Sequence, residues 1–164
     1  MPSLGTMIVS AGLLKWVMRL YPPLFFQRVW VQHFKSDFTA VSVKINHSIL
    51  NTNYNKSIFG GTIFSAADPF YPILFFQLLR RKGFNIIVWS RSADIHFLKK
   101  SSADLYFNLN LPPQEIDIAE KALIETGRFL ATYPIKMSKD NGEVCVEINC
   151  EVYIKNLNYI IKPR

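Results

Sequence analysis

The most restrictive feature of this sequence is a regular alternation of apolar and polar side chains near the end of the chain. Apolar residues occupy every even position of the run, namely Val144, Val146, Ile148, Cys150, Val152 and Ile154. The positions between them are mostly polar: Glu143, Glu147, Asn149, Glu151 and Lys155. Because successive side chains of a β-strand point to opposite faces, this run predicts a long strand with one buried face. Such a strand needs a second layer that covers its apolar side.

The remaining elements can be predicted in the same way. The segment Asp140-Asn141-Gly142 before the last strand indicates a hairpin, since Asn-Gly readily adopts positive φ. Other strand-like runs lie near residues 28–34, 41–45, 85–98 and 103–111, and helical runs lie near 60–83 and 113–127. We therefore predict an α+β domain in which a long antiparallel sheet wraps around a central apolar helix.

The first 26 residues predict an additional amphipathic helix. Apolar side chains recur there at three- and four-residue steps: Leu4, Met7, Ile8, Ala11, Leu14, Val17, Met18 and Tyr21. Lys15 and Arg19 interrupt the apolar run, which is too short to span a bilayer, and Pro22-Pro23 should end the helix. We expect residues 1–26 to pack on a domain formed by residues 27–164. A weak contact with a membrane surface is the alternative.

Charge and cysteine content narrow the possible partners and the compartment. The net charge is +7, but the basic residues are scattered, and no helix-turn-helix, zinc-finger or RNA-binding pattern is present. Nucleic acid is therefore not the expected partner. Cys145 and Cys150 are separated by an odd number of residues in one strand, so they face opposite sides and should remain unpaired. A cytoplasmic protein is expected.

One segment resembles a known active site. Residues 53–68 read Asn-Tyr-Asn-Lys-Ser-Ile-Phe-Gly-Gly-Thr-Ile-Phe-Ser-Ala-Ala-Asp. This run is similar to the active-site segment of hotdog-fold thioesterases of the phenylacetyl-CoA type, which has Asn, five residues, His-Gly-Gly, six residues and Asp. Asn53, Gly60, Gly61 and Asp68 fall at those positions, whereas Phe59 replaces the His. The sequence around Asp68-Pro69-Phe70-Tyr71 looks more like a branch of this superfamily whose function is unassigned.

The resemblance implies a hotdog fold and hydrolysis of acyl-CoA or another acyl thioester. Asp68 would activate water or attack directly, and Asn53 would be an orienting group. No metal and no cofactor are expected, because coenzyme A is part of the substrate. Beside the resemblance, the residues around the motif indicate that Phe59 and Phe64 form a hydrophobic wall for the acyl group; the alternative is that both rings face the core and leave a polar, shallow site. A turn that contains Lys99 and Lys100 follows a strand resembling the family's central strand. Those two lysines are either a solvated turn or a contact for the cofactor phosphates.

Elementary chemistry supports part of this assignment. A glycine pair that opens a helix leaves free N–H groups at the positive end of the helix dipole, where an oxyanion can bind. Gly60 and Gly61 would supply these groups, and Asp68 would supply the carboxylate. Taken alone, Asp68 could instead cap a helix that restarts at Pro69. In addition, Phe59 and a proline at position 72 depart from the pattern, which favours a second possibility, a non-catalytic module that binds acyl thioesters or lipids.

Spacing along the helix predicts how the site is assembled. Gly61 and Asp68 are seven residues apart, which is roughly 10 Å along a helix. One chain cannot readily bring both groups to a single carbonyl. We therefore expect a homodimer, or a dimer of dimers, in which Gly61 of one chain meets Asp68 of the other.

Overall fold

The computed structural model describes residues 8–160, which form five helices and six strands. The helices are α1 (Ala11–Leu20), α2 (Pro22–Phe26), α3 (Gly60–Ala67), α4 (Phe70–Arg81) and α5 (Pro113–Glu125). The strands are β1 (Val29–Phe34), β2 (Ala40–Ile45), β3 (Ile86–Phe97), β4 (Leu105–Asn110), β5 (Arg128–Ser138) and β6 (Val144–Asn156). The predicted α+β class is confirmed.

All six strands belong to one antiparallel sheet with the order β1-β2-β4-β5-β6-β3. The longest ladders join β6 to β5 and to β3, so the predicted final strand lies inside the sheet with a neighbour on each side. Its alternating apolar side chains are buried from Val146 to Ile154, as the sequence predicted. Gly142 has a φ of 82° in the turn before this strand, which explains the glycine there.

The central helix α4 packs on the inner face of this sheet. Phe70 contacts the rings of Phe34 on β1 and Phe107 on β4, whereas Phe75 contacts Phe129 and Tyr133 on β5. Residues 60–81 together are long and apolar enough to cross a membrane, but 61% of the tested window is buried inside the protein. Packing against the sheet therefore accounts for the apolar character of this segment.

The sequence predicted one apolar helix from Gly60 to Gly83, but the chain forms two, separated at Asp68 and Pro69. Prolines at positions 69 and 72 have no N–H to donate to the carbonyls four residues earlier, those of Ser65 and Asp68. The hydroxyl of Ser90 on β3 donates instead to the Asp68 carbonyl, at 2.7 Å. The break therefore follows from the prolines, and the sheet stabilises it.

Helix α1 packs against β1 through the buried side chains of Leu14 and Met18. Arg19 Nε donates to the Val31 carbonyl at 2.8 Å and so joins the helix to that strand. The helix ends just before Pro22-Pro23, as predicted, but these prolines also open the short helix α2, where the first turn needs no N–H. The predicted helical positions Leu4 and Met7 lie outside the described residues.

Candidate active site

The N-terminus of α3 presents unpaired backbone donors. Phe59 is the residue before the helix, and its carbonyl accepts hydrogen bonds from Thr62 N at 3.0 Å and Ile63 N at 3.3 Å. Within residues 8–160, neither the Gly60 N–H nor the Gly61 N–H donates a hydrogen bond. Two N–H groups are therefore free at the positive end of the α3 dipole, which is an arrangement that stabilises an anion.

The space beside both glycines is filled by aromatic rings of the same chain. A Cβ on Gly60 would lie 3.2 Å from Cζ of Phe97, on β3, and a Cβ on Gly61 would overlap the ring of Phe59. A side chain at position 61 would therefore displace the Phe59 ring, and one at position 60 would need a small shift of the Phe97 ring.

The predicted orienting residue, Asn53, is engaged within its own turn. Its side-chain oxygen accepts hydrogen bonds from Asn55 N at 2.9 Å, Ser57 N at 3.2 Å and Ser57 Oγ at 3.1 Å. This is the pattern of an Asx turn. An effect of Asn53 on a substrate would therefore act through the conformation of the loop before α3.

A residue that the sequence did not single out, Asn51, fixes the start of α3. Its side chain is buried, and Nδ2 donates to the carbonyls of Gln27 and Asn46, both at 2.9 Å. The backbone carbonyl of Asn51 accepts from Phe59 N at 2.8 Å. The side-chain bonds tie the loop to the residue that follows α2 and to the residue that follows β2. No pattern in the sequence distinguishes this buried asparagine from Asn53, which lies two residues later.

Asp68 lies at the C-terminal end of α3 with an exposed side chain. The residue has helical torsions, φ −58° and ψ −51°, and its N–H donates to the Phe64 carbonyl at 3.1 Å. The alternative prediction that Asp68 caps the following helix was wrong: α4 is preceded by Pro69 and has no side-chain cap. The Asp68 carboxylate forms no hydrogen bond or ion pair with any residue from 8 to 160. It is therefore available to bind and activate water.

The outer face of α3 connects Gly61 to Asp68. Phe64 lies between them, and with Phe59 before the helix it presents a large exposed aromatic surface, the exposed fractions being 48% and 56%. Gly61 and Asp68 are separated by roughly 10 Å along the helix. Within one chain these two groups therefore lie at opposite ends of α3.

Two pockets flank the start of α3 and divide the predicted site residues. The first, about 280 Å³, brings together Asn53, Gly60, Lys99 and Lys100. The second, about 530 Å³, has Phe59 and Gly61 in its wall. Neither Phe64 nor Asp68 lines either pocket.

The two lysines of the first pocket differ in their interactions. Lys99 Nζ lies 2.6 Å from Glu143, which also accepts from Lys139 Nζ at 2.7 Å. The hydrogen bond from Lys139, followed by that from Lys99, lowers the pKa of Glu143 to about 2. Lys100 forms no ion pair with any described residue. Lys100 is therefore the better placed of the two for binding an anionic ligand.

Comparisons with known proteins agree with the fold. A family model described as a domain of unknown function (DUF4442) matches residues 10–154. A search of curated proteins gives no match.

Several solved structures share the architecture. A protein of unknown function from Pseudomonas aeruginosa, described as a probable thioesterase, has a TM-score of 0.79 at 15% identity, with 92% of this chain and 99% of that chain covered. A thioesterase from Haemophilus influenzae has a TM-score of 0.67 at 9% identity, with 96% of this chain and 98% of that chain covered. The PaaI protein of the E. coli phenylacetic acid degradation operon has a TM-score of 0.60 at 12% identity, with 93% of this chain and 100% of that chain covered. The predicted hotdog fold is confirmed.

Proposed function

This chain belongs to the DUF4442 family, and we propose that it hydrolyses acyl thioesters, with acyl-CoA as the substrate. The observation that carries the proposal is the arrangement of polar groups on α3. The free N–H groups of Gly60 and Gly61 lie at one end of the helix, and the unpaired Asp68 carboxylate lies at the other. Structural neighbours described as thioesterases support the same reaction class.

The proposed reaction uses the two ends of α3 in complementary ways. Asp68 removes a proton from water as the water oxygen attacks the thioester carbonyl carbon, and the Gly61 N–H stabilises the resulting oxyanion. Collapse of this intermediate breaks the carbon–sulfur bond and releases the acid and the CoA thiolate, which takes up a proton. Direct attack by Asp68 would give an anhydride that water then hydrolyses to the same products.

We propose that each site is formed by two chains. The roughly 10 Å between Gly61 and Asp68 along the helix is spanned if a two-fold axis places the α3 helices antiparallel. Among residues 8–160, the edge strand β3 has a neighbour only on the β6 side, so it can pair with its copy in a dimer. Phe59 and Phe64 would then line a buried site, and Lys100 would contact a cofactor phosphate. The buried free thiols of Cys145 and Cys150 fit a reducing, cytoplasmic location.

The test is hydrolysis of a panel of acyl-CoA substrates by the wild type and by Asp68→Asn. Losing the general base should lower kcat by a factor on the order of 10² or more. The fold should be retained, because the carboxylate forms no hydrogen bond or ion pair with the described residues. Asp117→Asn, an exposed aspartate on α5, is the matched control. Equal turnover by Asp68→Asn and the wild type would exclude Asp68 as the catalytic base.

A second candidate function is binding of acyl thioesters without turnover. The ring of Phe59 packs on Gly61 beside the free N–H groups, which favours this possibility. In that case acyl-CoA would bind equally well to the wild type and to Asp68→Asn, and neither would release free CoA.

A further inference from the structure

An apolar cleft of about 350 Å³ lies between α1 and α4. One wall is a stripe along α1 that includes Val17 and Met18, and the opposite wall is a stripe along α4 that includes Pro72, Ile73 and Phe76. On each helix the lining residues recur at three- and four-residue steps, so each helix turns one apolar face to the cleft. The volume lies within the roughly 300–1,000 Å³ typical of small-molecule sites.

One end of the cleft lies next to the backbone of the proposed catalytic residue, Asp68. Pro69, which lines the cleft, directly follows Asp68. Val88 also lines it and lies two residues before Ser90, whose hydroxyl bonds the Asp68 carbonyl. Side chains two residues apart lie on the same face of a strand. Val88 therefore lies on the face of β3 from which Ser90 contacts Asp68.

The other end of the cleft is closed by polar groups. Gln77 is buried there, and its Oε1 accepts hydrogen bonds from Arg81 Nη1 at 2.6 Å and from Val9 N at 3.4 Å. The contact with Val9, just before α1, places the start of α1 beside the last turns of α4. Pro69 and Gln77 are eight residues apart, which corresponds to about 12 Å along a helix.

We propose that this cleft binds the acyl chain of the substrate and limits its length to roughly eight to ten carbons, given C–C bonds of about 1.5 Å in a 12 Å channel. The proposal rests on the proposed function, since it places the thioester carbonyl at Asp68. An alkyl chain fits because the walls between the two ends are apolar. The cleft ends at Gln77, whose side chain is already buried and hydrogen-bonded, so a longer chain meets no further apolar wall there.

Binding should therefore depend on chain length in a defined way. Each methylene that enters the cleft should tighten binding by up to about fourfold. Dissociation constants should fall from acetyl-CoA to decanoyl-CoA and should not fall further to hexadecanoyl-CoA. Calorimetry on the full chain carrying Asp68→Asn, which should turn these substrates over slowly, measures these constants, and kcat/KM of the wild type for the same substrates gives an independent profile.

Two substitutions that fill the cleft from opposite walls test its role. Val17→Phe on α1 and Ile73→Phe on α4 should each lower the ratio of decanoyl-CoA to acetyl-CoA affinity at least tenfold. Leu20→Phe adds a ring on the exposed side of α1 and is the matched control, with no change in the ratio expected. Thermal unfolding identifies which variants are folded. An unchanged ratio in a folded cleft-filling variant would overturn the proposal.

The two proposals can fail separately. If no acyl-CoA is hydrolysed but binding keeps the predicted length profile, the hydrolase proposal fails and the cleft assignment stands. If hydrolysis occurs with equal kcat/KM from acetyl-CoA to hexadecanoyl-CoA, the cleft assignment fails and the hydrolase proposal stands.

Discussion

At the scale of single residues, two tyrosines in the core join α4 and α5 to the sheet. Tyr71 on α4 donates its hydroxyl proton to the Pro134 carbonyl at 2.9 Å, and Tyr133 on β5 donates to Glu115 on α5 at 2.9 Å. Their ring centroids are 4.9 Å apart. Burial, followed by the nearby Cys150 thiol, raises the pKa of Tyr71 to about 12. Burial and the hydrogen bond to Glu115 raise the pKa of Tyr133 as well.

These shifts predict a loss of stability at alkaline pH. The folded-state pKa of Tyr71 exceeds the value of 10.0 for an unperturbed tyrosine. The folded protein therefore retains a proton that the unfolded chain releases, and the contribution to stability declines as the pH rises from about 10 towards 12. The free energy of unfolding, measured by denaturant titration across this range, should fall less steeply in Tyr71→Phe. Tyr54→Phe, at a largely exposed position, is the control, and parallel curves for Tyr71→Phe and wild type would contradict the prediction.

At the scale of elements, the break between α3 and α4 determines where Asp68 lies. The Ser90 hydroxyl satisfies the Asp68 carbonyl because the residue four positions later is Pro72. A strand residue thus completes the hydrogen bonding of the central helix. The same proline that departs from the thioesterase pattern is therefore part of a local structure that holds the backbone of the proposed catalytic residue.

A double-mutant cycle can measure this coupling. Ser90→Ala should lower the free energy of unfolding by about 1 kcal/mol, the usual net value of such a hydrogen bond. In a Pro72→Ala background, Ser90→Ala should lower the free energy of unfolding by less than half of that amount. The reason is that an alanine at position 72 has an N–H that can donate to the Asp68 carbonyl. The measurement is denaturant unfolding of the four proteins.

Ser92→Ala provides the control for that cycle. Ser92 lies on the same strand, and its hydroxyl contacts Glu151 at 3.3 Å instead of the helix. Ser92→Ala should change the free energy of unfolding by the same amount whether proline or alanine occupies position 72. Equal costs for Ser90→Ala in both backgrounds would mean that the Ser90 hydroxyl and residue 72 do not act on the same carbonyl.

At the scale of the whole molecule, the exposed face of α3 predicts self-association. Phe64 lies between Gly61 and Asp68 on that face, where the composite site requires a second chain. Phe64→Lys would bury a charge in this contact, which should weaken dimerisation by about 100-fold or more. Sedimentation velocity over a concentration series measures the change, with acyl-CoA hydrolysis followed in parallel.

Ile118→Lys is the matched control for the dimer. Ile118 is an exposed apolar residue on α5, well outside α3, so a lysine there should leave the dimerisation constant unchanged. A wild-type protein that is monomeric at micromolar concentration and still hydrolyses acyl-CoA would contradict the composite site.

The sequence alone determined the fold class, the final strand and its hairpin, and the helix that begins at Gly60-Gly61. These features are local: strand periodicity reports burial directly, Asn-Gly favours one turn geometry, and a glycine pair before an apolar run indicates where a helix starts. The resemblance of residues 53–68 to the hotdog pattern added the fold family, and the comparisons confirmed it.

Only the tertiary structure decided how these elements meet. The helix break at Asp68 depends on two prolines but is completed by Ser90, 22 residues away. The buried role of Asn51 depends on carbonyls 24 residues earlier and five residues earlier in the chain. The apolar cleft exists because α1 and α4, which are distant in sequence, leave a gap along their facing stripes. Propensity and periodicity are properties of neighbouring residues, whereas these contacts are set by how the helices dock on the sheet.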